Sequence, residues 1–321
     1  MSLNSLNPQQ LEAVLHTEGP LLLLAGAGSG KTKVVTHRVA HLVGSKCIDP
    51  ERVLAVTFTN KAAKEMQERV AGLAGKTKTE RIQISTFHSL CCRILRADIE
   101  QLGYKRNFSI YGASDQQRLI KDLMHDINPD HGLKPDAILW KISDAKNSLK
   151  SPEEFGPFMR GDVIGEMAQK VYPEYQKSLK SYNAVDFDDL IMLVVRLFKE
   201  FPEVQERYQD RFQYIMVDEY QDTNTAQFTL MKRLAGKWNN FCVVGDDDQS
   251  IYGWRGADPG KILDFEKNFA GAHVIKLEQN YRSTSNILNA ANTVISNNQQ
   301  RKEKALWTAG DAGEKIGVVR C

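Results

Sequence analysis

The sequence predicts an α/β fold, in which a parallel β-sheet is flanked by helices and interrupted by an α-helical insertion. Short apolar segments of strand length alternate with helical periodicity over residues 1–89 and again from residue 212. A Gly-rich turn joins the first of these strands to the helix after it. Between the two regions, helical periodicity dominates and β-branched runs are nearly absent. Strands that alternate with helices favour a doubly wound parallel sheet, because the crossover helices cover both of its faces.

Each element follows from a local residue pattern. The wholly apolar segment Leu21–Ala25 has the length of a buried strand, and Ala62, Met66 and Val70 recur at helical spacing. The other predicted strands are Val53–Phe58, Ile82–Ser85, Phe212–Val217, Phe241–Val244 and His273–Leu277. The predicted helices are Gly30–Val43, Lys61–Val70, Leu90–Leu102, Asp115–Ile127, Pro135–Leu149, Ile164–Ser181 and Phe187–Phe201.

Length and composition narrow the class of protein. A chain of 321 residues is long enough for about two domains, each with its own core. The net charge of +2 does not by itself indicate a nucleic-acid partner, so any basic surface must be local. The five cysteines lack metal-ligand spacing, which favours reduced thiols over a metal site. No signal peptide or membrane span is visible, so a cytoplasmic location is expected.

A phosphate-binding loop is predicted where the first strand meets its helix. The segment follows the Walker A pattern, in which glycines let backbone N–H groups face phosphate oxygens at a helix N-terminus. Lys31 would reach the β- and γ-phosphates, and the Thr32 hydroxyl would bind Mg²⁺. This context disfavours a Gly-rich turn without a ligand. The loop residues are Ala25, Gly26, Ala27, Gly28, Ser29, Gly30, Lys31 and Thr32.

A pair of acids ends the apolar strand Phe212–Val217. Carboxylates at the carboxyl end of a parallel strand lie at the ligand edge of the sheet. Asp218 would hold Mg²⁺, and Glu219 would orient and deprotonate the attacking water. The alternative, a solvated acidic strand end, is disfavoured by the Lys-Thr pair of the loop.

A further group that would contact phosphate is predicted after the strand Phe241–Val244. The amide of Gln249 could donate to a γ-phosphate and lose that contact on hydrolysis. The preceding run, Asp246–Asp248, is interpreted as turn or capping acids in preference to a second metal site. Near the N-terminus, the Gln10 amide could pair with an adenine edge, with a helix-capping role as the alternative.

Several aromatic side chains follow predicted strands, among polar neighbours. Taken alone, each is more often a core residue than a ligand contact. Stacking contributes about 1–3 kcal/mol per base, so three or four exposed rings would hold a single strand with little sequence preference. The rings are Phe58, Phe87 with His88, Phe187, Tyr252 and Trp254. Because the last two lie within six residues of Gln249, the segment Val243–Ala257 is predicted to couple nucleotide chemistry to an aromatic ligand such as a base.

Together these segments resemble the superfamily 1A DNA helicases of the UvrD/Rep/PcrA group. LNPQQ is similar to the Q motif, AGAGSGKT to motif I, TFTNKAAKEM to motif Ia and ISTFHSL to motif Ib. VDEYQDT is similar to motif II, GDDDQSIYGWRGA to motif III and LEQNYRS to motif IV. Seven motifs in the family's order, from Leu6 to about Asn286, make the resemblance specific.

The resemblance implies roles for individual residues. Lys31, Thr32, Asp218, Glu219 and Gln249 would handle ATP and Mg²⁺. Gln10 would read adenine, Tyr281 would stack on it, and Arg282 would reach the γ-phosphate. Lys33 stands where close members often carry arginine, and Arg255 would link the nucleotide site to DNA. The implied single-strand contacts are Phe58, Asn60, Thr86, Phe87, His88, Phe187, Tyr252, Trp254 and Arg255.

The resemblance also implies a domain organisation. Residues 1–89 and 212–278 would form a RecA-like ATP-binding domain (1A), and residues 90–211 a helical insertion domain (1B). Residues 279–321 would begin a second RecA-like lobe (2A), whose motifs V and VI are not found here. The chain is therefore expected to be an N-terminal fragment that hydrolyses ATP poorly without the remaining lobes 2A and 2B.

The implied activity is an ATP-driven translocase that moves 3′→5′ on single-stranded DNA and unwinds duplex junctions in replication or repair. Two alternatives are kept. The chain could be the motor part of a recombination helicase–nuclease subunit, or a nucleotide-gated DNA-binding module without unwinding activity. The complete acid pair Asp218–Glu219 argues against the second alternative.

Overall fold

The computed structural model describes residues 3–129, 132–156, 161–299 and 301–317, except for the side chain of Arg255. The strands are β1 Leu21–Ala25, β2 Val53–Thr57, β3 Gln83–Thr86, β4 Ser109–Ile110, β5 Ala184–Val185, β6 Tyr214–Val217, β7 Asn240–Gly245 and β8 His273–Leu277. The helices are α1 Pro8–Leu15, α2 Lys31–Gly44, α3 Asn60–Ala74, α4 Lys76–Arg81, α5 Phe87–Asp98, α6 Ala113–Ile127, α7 Pro135–Asn147, α8 Val163–Ser181, α9 Phe187–Glu200, α10 Pro202–Arg211, α11 Thr225–Ala235, α12 Gly260–Leu263, α13 Phe265–Asn268 and α14 Ser285–Ile295.

Six strands form one sheet in the order β3-β2-β6-β7-β1-β8, and every neighbouring pair is parallel. This confirms the predicted parallel α/β fold. Because all six strands run the same way, their carboxyl ends meet at one edge, called the carboxyl edge below. The segments that follow the strands are therefore neighbours in space, although they are far apart in sequence.

The sheet is buried on both faces. All five residues of β1 are fully buried. Leu22 and Leu24 enter one core together with residues of α5, α9 and α11. Leu21 and Leu23 enter the opposite core with residues of α2 and α3. A central strand that contacts helices on both sides has no polar face, which explains its uninterrupted aliphatic sequence.

The helical region contains two kinds of helix. Helices α6, α7 and α8 share a separate core, which includes Ile120, Ile142 and Tyr175. Helices α5, α9 and α10 instead contribute to the core beneath the sheet. The boundaries 90 and 211 of the insertion stay a prediction, because helices near both of them pack on the sheet. Within the described residues, no helix combines the length and apolar character needed to cross a membrane.

The predicted helices differ in detail from those of the structure, and the clearest differences lie at the two ends of the helical region. The helix predicted from Leu90 begins at Phe87, because the Thr86 side chain accepts a hydrogen bond from the Ser89 backbone and caps it. The α-helix ends at Asp98, and a 3-10 turn continues to Leu102. Helix α10 was not predicted, since its segment PEVQERYQDR is mostly polar and buries only Val204 and Tyr208.

Candidate functional site

The Gly-rich loop between β1 and α2 lies at the carboxyl edge. Gly28 and Gly30 have φ values of +69° and +86°, a region that side chains disfavour. The Ser29 hydroxyl donates to the carbonyl of Gly26 at 2.7 Å and closes the turn. The loop therefore presents backbone N–H groups at the N-terminus of a long helix, where partial positive charge favours an anion.

Gln10 forms one wall of this loop. Its Nε2 donates to the carbonyl of Ser29 at 2.9 Å, and its Oε1 accepts from the Asn7 backbone at 3.2 Å. A Cβ on Gly30 would lie 2.8 Å from Gln10 Nε2, so the glycine permits this close approach. Both ends of the amide are used within the chain. To read adenine, Gln10 would have to exchange one of these partners.

Lys31 pairs with Glu219 across the carboxyl edge, with 3.0 Å between Nζ and Oε2. The amide of Gln221 donates to the same carboxylate oxygen at 2.9 Å. Burial alone would raise the pKa of Glu219, but the Lys31 ammonium and the Gln221 amide together hold this pKa below its ordinary value. Glu219 is therefore ionised at neutral pH, and its partner is the lysine predicted to bind phosphate.

Asp218 is buried beside this pair, and its Oδ1 accepts from the Glu219 backbone at 3.0 Å. Burial and the neighbouring Glu219 charge raise the pKa of Asp218 to about 6. Glu219 itself has a φ of +51°, a strained conformation for a residue with a side chain. Because of this bend, the two adjacent carboxylates point in different directions. Glu219 binds Lys31, while Asp218 is buried and has no ion-pair partner among the described residues.

Gln221 connects the ends of neighbouring strands β6 and β7, and sequence reasoning gave it no role. It is 2% exposed. Its Nε2 donates to Glu219, while its Oε1 accepts from the Asp246 backbone at 3.0 Å. A Cβ on Gly245 would lie 2.8 Å from Gln221 Oε1, so this contact depends on the glycine. An amide three residues after Asp218 was the available signal, but its partner became apparent only from the strand order.

Gln249 does not donate to the loop in this structure. Its Nε2 donates to the Asp246 carboxylate, which also caps the 3-10 turn by accepting from the Asp248 backbone at 3.2 Å. The capping role predicted for these acids is therefore observed for Asp246. The γ-phosphate role of Gln249 stays a prediction that requires its amide to leave Asp246.

The aspartates Asp246–Asp248 also face two cations that the sequence did not link to them. Lys304 Nζ lies 3.0 Å from Asp246 Oδ1 and 2.6 Å from Asp248 Oδ2, and it contacts Asp247 as well. Arg301 makes a bidentate pair with Asp248, at 3.0 and 2.8 Å. The Lys304 side chain is 3% exposed. The acidic run is thus compensated by protein cations, which argues against the alternative of a second metal site.

The residues after β8 bind the phosphate loop from the other side. Asn280 Nδ2 donates to the carbonyl of Ala27 at 2.6 Å, and the Tyr281 backbone donates to the carbonyl of Gly28 at 3.0 Å. The Tyr281 ring is 57% exposed, and its hydroxyl accepts from Asn7 at 2.9 Å. Arg282 is exposed beside Gly28. Asn280 is a second residue that sequence reasoning missed.

Thr32 and Lys33 lie in the first turn of α2, and both are partly buried. Lys33 Nζ donates to the carbonyl of Ser5 at 2.6 Å, so it connects the helix to the N-terminal segment. Ala25 is the last residue of β1 and is fully buried. Among these three, Thr32 is the residue with a hydroxyl that could bind a metal ion.

The aromatic residues predicted to contact single-stranded DNA divide into exposed rings, partly buried rings and one core ring. Phe187, at the start of α9, is 53% exposed and stacks on His88, with ring centroids 4.2 Å apart. Burial lowers the pKa of His88 to about 4, so its ring is neutral at physiological pH. Half-buried Phe58 packs edge-on against Phe87 at 5.3 Å.

Two residues predicted to contact single-stranded DNA are buried in the structure, which corrects the prediction. Phe87 is 1% exposed and belongs to the core beneath the sheet, because it opens α5 on the face that packs inward. Thr86 is buried, and its hydroxyl is engaged with Ser89 as the helix cap. Asn60 is exposed at the start of α3, as a ligand contact requires.

A second pair of exposed rings follows β7. Tyr252 is 41% and Trp254 is 63% exposed, with their centroids 6.3 Å apart. The segment that carries them joins the turn after β6, since the Ser250 hydroxyl donates to the carbonyl of Gln221 at 3.2 Å. The prediction for Arg255 concerns a side chain outside the described part of the structure.

Two descriptions of known protein families match consecutive parts of the chain. Residues 6–270 match the family described as "UvrD/REP helicase N-terminal domain", and residues 275–321 match the "UvrD-like helicase C-terminal domain". The relatives named ATP-dependent DNA helicase PcrA are 56% identical over 315 residues in Staphylococcus aureus and 55% identical over 319 residues in Bacillus subtilis. These alignments cover 98% and 99% of this chain. The chain spans 43% of the length of either relative. It belongs to the UvrD/REP helicase family.

Proposed function

We propose that this chain carries the ATP site and the single-strand binding surface of a DNA helicase, and that together with the remaining lobes it acts as an ATP-driven translocase on single-stranded DNA. The observation that carries the proposal is the shared carboxyl edge. The Lys31–Glu219 pair and the exposed Trp254 ring lie on segments that follow strands of one parallel sheet. The exposed Phe187 ring lies at the same edge through its stack on His88, two residues after β3. A site that binds both phosphate and bases is expected to use this edge for both.

Nucleotide binding would begin with an exchange of partners. An entering γ-phosphate would take the Lys31 ammonium from Glu219, because the loop places several backbone N–H groups at the same point. Glu219 would then be an ionised carboxylate held by Gln221, suited to orient and deprotonate a water. The pair thus restrains the site, since the proposed base is bound to the lysine that would bind phosphate.

The residues present fit Mg²⁺. Asp218 is a buried carboxylate with a raised pKa, and a divalent cation beside it would offset the cost of burying its charge. Asp218 and the Thr32 hydroxyl would hold the ion. When bound, Mg²⁺ neutralises charge on the phosphate oxygens. The relatives named as ATP-dependent DNA helicases support ATP as the nucleotide.

The single strand would stack on the exposed rings. Phe187 is supported from beneath by the neutral His88 ring, and Tyr252 and Trp254 form a second platform. Stacking of this kind contributes about 1–3 kcal/mol per base and tolerates any sequence. Duplex unwinding and the 3′→5′ direction are included in the proposal on the strength of the family and its named relatives.

Two variants test the nucleotide half of the proposal. Lys31→Ala should lower affinity for a fluorescent ATP analogue and reduce hydrolysis by about 10²-fold or more, because it removes the charge that faces the phosphates. Glu219→Gln should retain analogue binding and abolish hydrolysis, measured as phosphate release with and without oligo(dT). Exposed Lys46→Ala, just beyond the far end of the same helix, is the matched control.

Hydrolysis at the normal rate by Glu219→Gln would show that the base lies elsewhere. In a protein that also contains lobes 2A and 2B, analogue binding with no turnover at any oligonucleotide concentration would favour the nucleotide-gated binding module over the motor.

A further inference from the structure

The turn Tyr220–Asp222 and the two residues after it occupy the middle of the carboxyl edge. They follow β6, which lies between β2 and β7 in the sheet. On one side, Gln221 binds Glu219 and the Asp246 backbone. The carbonyl of Thr223 accepts from the Asp258 backbone at 3.3 Å, just beyond the Tyr252–Trp254 rings. The segment 220–224, called the hub here, is thus hydrogen-bonded to Glu219 on one side and to the segment around the Tyr252–Trp254 rings on the other.

A further contact leads from the hub to the helical region. Asn224 Nδ2 donates to Asn147 Oδ1 at 2.6 Å, although the two residues are 77 positions apart. Asn147 is the last residue of α7, and Asn224 is 7% exposed. The Asn224 Oδ1 is used separately, as the cap that accepts from the Gln227 backbone at 2.9 Å. Each atom of the Asn224 amide therefore has a defined task.

Asn147 passes this connection to the second aromatic platform. Its Nδ2 donates to Asp188 Oδ1 at 3.0 Å. Asp188 directly follows Phe187 in the first turn of α9, and the neighbouring Asp186 caps that turn through the Asp189 backbone. Because Asn147 accepts from the hub and donates to Asp188, rotation of its amide would break both bonds. The side chain has one orientation that satisfies both neighbours.

We propose that Asn147 is a positioning residue that couples nucleotide binding at the Lys31–Glu219 pair to the position of Phe187 on the single strand. The inference rests on the proposed function. When Lys31 leaves Glu219 for phosphate, the Glu219 carboxylate moves together with the Gln221 amide that holds it, and the hub shifts. The Asn224–Asn147–Asp188 bonds then carry the shift into the first turn of α9, where Phe187 lies.

The test measures a coupling factor, defined as the ratio of the dissociation constants for a single strand without and with bound nucleotide analogue. The dissociation constant for fluorescein-labelled oligo(dT) is determined by anisotropy with and without a non-hydrolysable ATP analogue and Mg²⁺, and the two values are divided. The unchanged chain should give a factor in the range typical of coupled sites, about 5–150. Asn147→Ala should bring the factor to within about twofold of one, while each ligand alone still binds.

Two further variants separate coupling from folding. Ser148→Ala removes an exposed hydroxyl on the residue next to Asn147, without touching the hub or Asp188, and should keep the normal factor. Asn224→Asp keeps the helix-cap oxygen but removes the donor to Asn147, so it should lose the coupling as Asn147→Ala does. The double variant Asn147→Ala/Asn224→Asp should be no worse than either single variant, because both break one connection.

The outcomes are distinct. An unchanged factor in Asn147→Ala, with both ligands bound, would overturn this inference and leave the proposed function standing. A factor of one in the unchanged chain, with both ligands bound, would overturn it as well. Failure of the unchanged chain to bind either oligo(dT) or the analogue would instead overturn the proposed function itself.

Discussion

The two halves of the carboxyl edge are built on different principles. In the phosphate half, after β1, β6, β7 and β8, the polar side chains bind one another: Lys31 binds Glu219, and Gln249 binds Asp246. In the aromatic half, after β2 and β3 and at the start of α9, Phe187 already faces solvent on its His88 support. Ligand binding in the first half requires exchange of partners, whereas in the second it requires only desolvation of a preformed surface.

The aromatic half is held from beneath by a buried charge cluster. Lys146 is fully buried, with its Nζ 2.6 Å from Asp186 and 2.8 Å from Asp189. Burial would lower the pKa of Lys146, but the two carboxylates outweigh it and raise the pKa above its ordinary value. The Tyr175 hydroxyl donates to Asp186 at 3.0 Å. These bonds fix the first turn of α9, which carries Phe187.

The largest expected effect comes from removing this cation. Lys146→Met should lower the free energy of unfolding by about 3–5 kcal/mol, since it leaves two carboxylates buried without a counter-charge. Urea unfolding followed by circular dichroism measures it. Lys141→Met on the same helix, which breaks the partly exposed pair with Asp162 at 3.1 Å, should cost about 0–1 kcal/mol. Equal costs for the two variants would show that the aromatic half has no rigid support.

An intermediate effect is expected from the platforms themselves. Trp254→Ala and Phe187→Ala should each weaken oligo(dT) binding by about 1–3 kcal/mol and leave affinity for the ATP analogue unchanged, because the rings contact bases only. Trp238→Ala is the matched control, since this ring is 43% exposed but precedes β7, at the opposite edge of the sheet. A strand affinity that falls as much in Trp238→Ala would refute the assignment of the carboxyl edge.

The smallest effects concern the dependence of stability on pH. This dependence should have opposite signs for His88 in the aromatic half and Asp218 in the phosphate half. Burial lowers the pKa of His88 from 6.5 to about 4. The folded chain therefore binds fewer protons than the unfolded chain between these values, and the contribution of His88 to stability is lost as the pH falls through them. His88→Phe keeps a ring against Phe187 and should flatten this fall in Tm. Exposed His125→Gln should leave the profile unchanged.

Asp218 provides the opposite sign. Burial and Glu219 raise its pKa from 3.8 to about 6. The contribution of Asp218 to stability is present below pH 3.8 and is lost as the pH rises through 6, because between these values the folded chain binds more protons than the unfolded chain. Asp218→Asn should remove this loss, measured as Tm between pH 4 and 7. If the slope of Tm against pH were the same in Asp218→Asn and in His88→Phe, the expected difference between the two halves would be contradicted.

The sequence predicted the parts of the molecule that depend on local pattern. The strand Leu21–Ala25 is found with the predicted bounds, and the acid pair Asp218–Glu219 does follow a buried strand. Burial of Phe87 was not predictable, because an aromatic residue after a strand can point to the core or to solvent. The direction depends on how α5 packs, which is a tertiary property.

The long-range polar contacts were beyond the sequence for the same reason. Lys304 is one lysine among many in the sequence, and only the fold brings it to the three aspartates after β7. Gln221 and Asn147 are amides, whose partners are decided by strand order and helix packing. Motifs identify which chemistry is present, while the connections between motifs require coordinates.

The left-handed backbone of Glu219 has a consequence for how this family can vary. A φ of +51° suits glycine or asparagine, and a glutamate there costs on the order of 1 kcal/mol. Selection for thermal stability alone would favour replacing this residue and would lose the carboxylate in doing so. At position 219, stability therefore favours glycine or asparagine, whereas the proposed role as catalytic base requires a carboxylate.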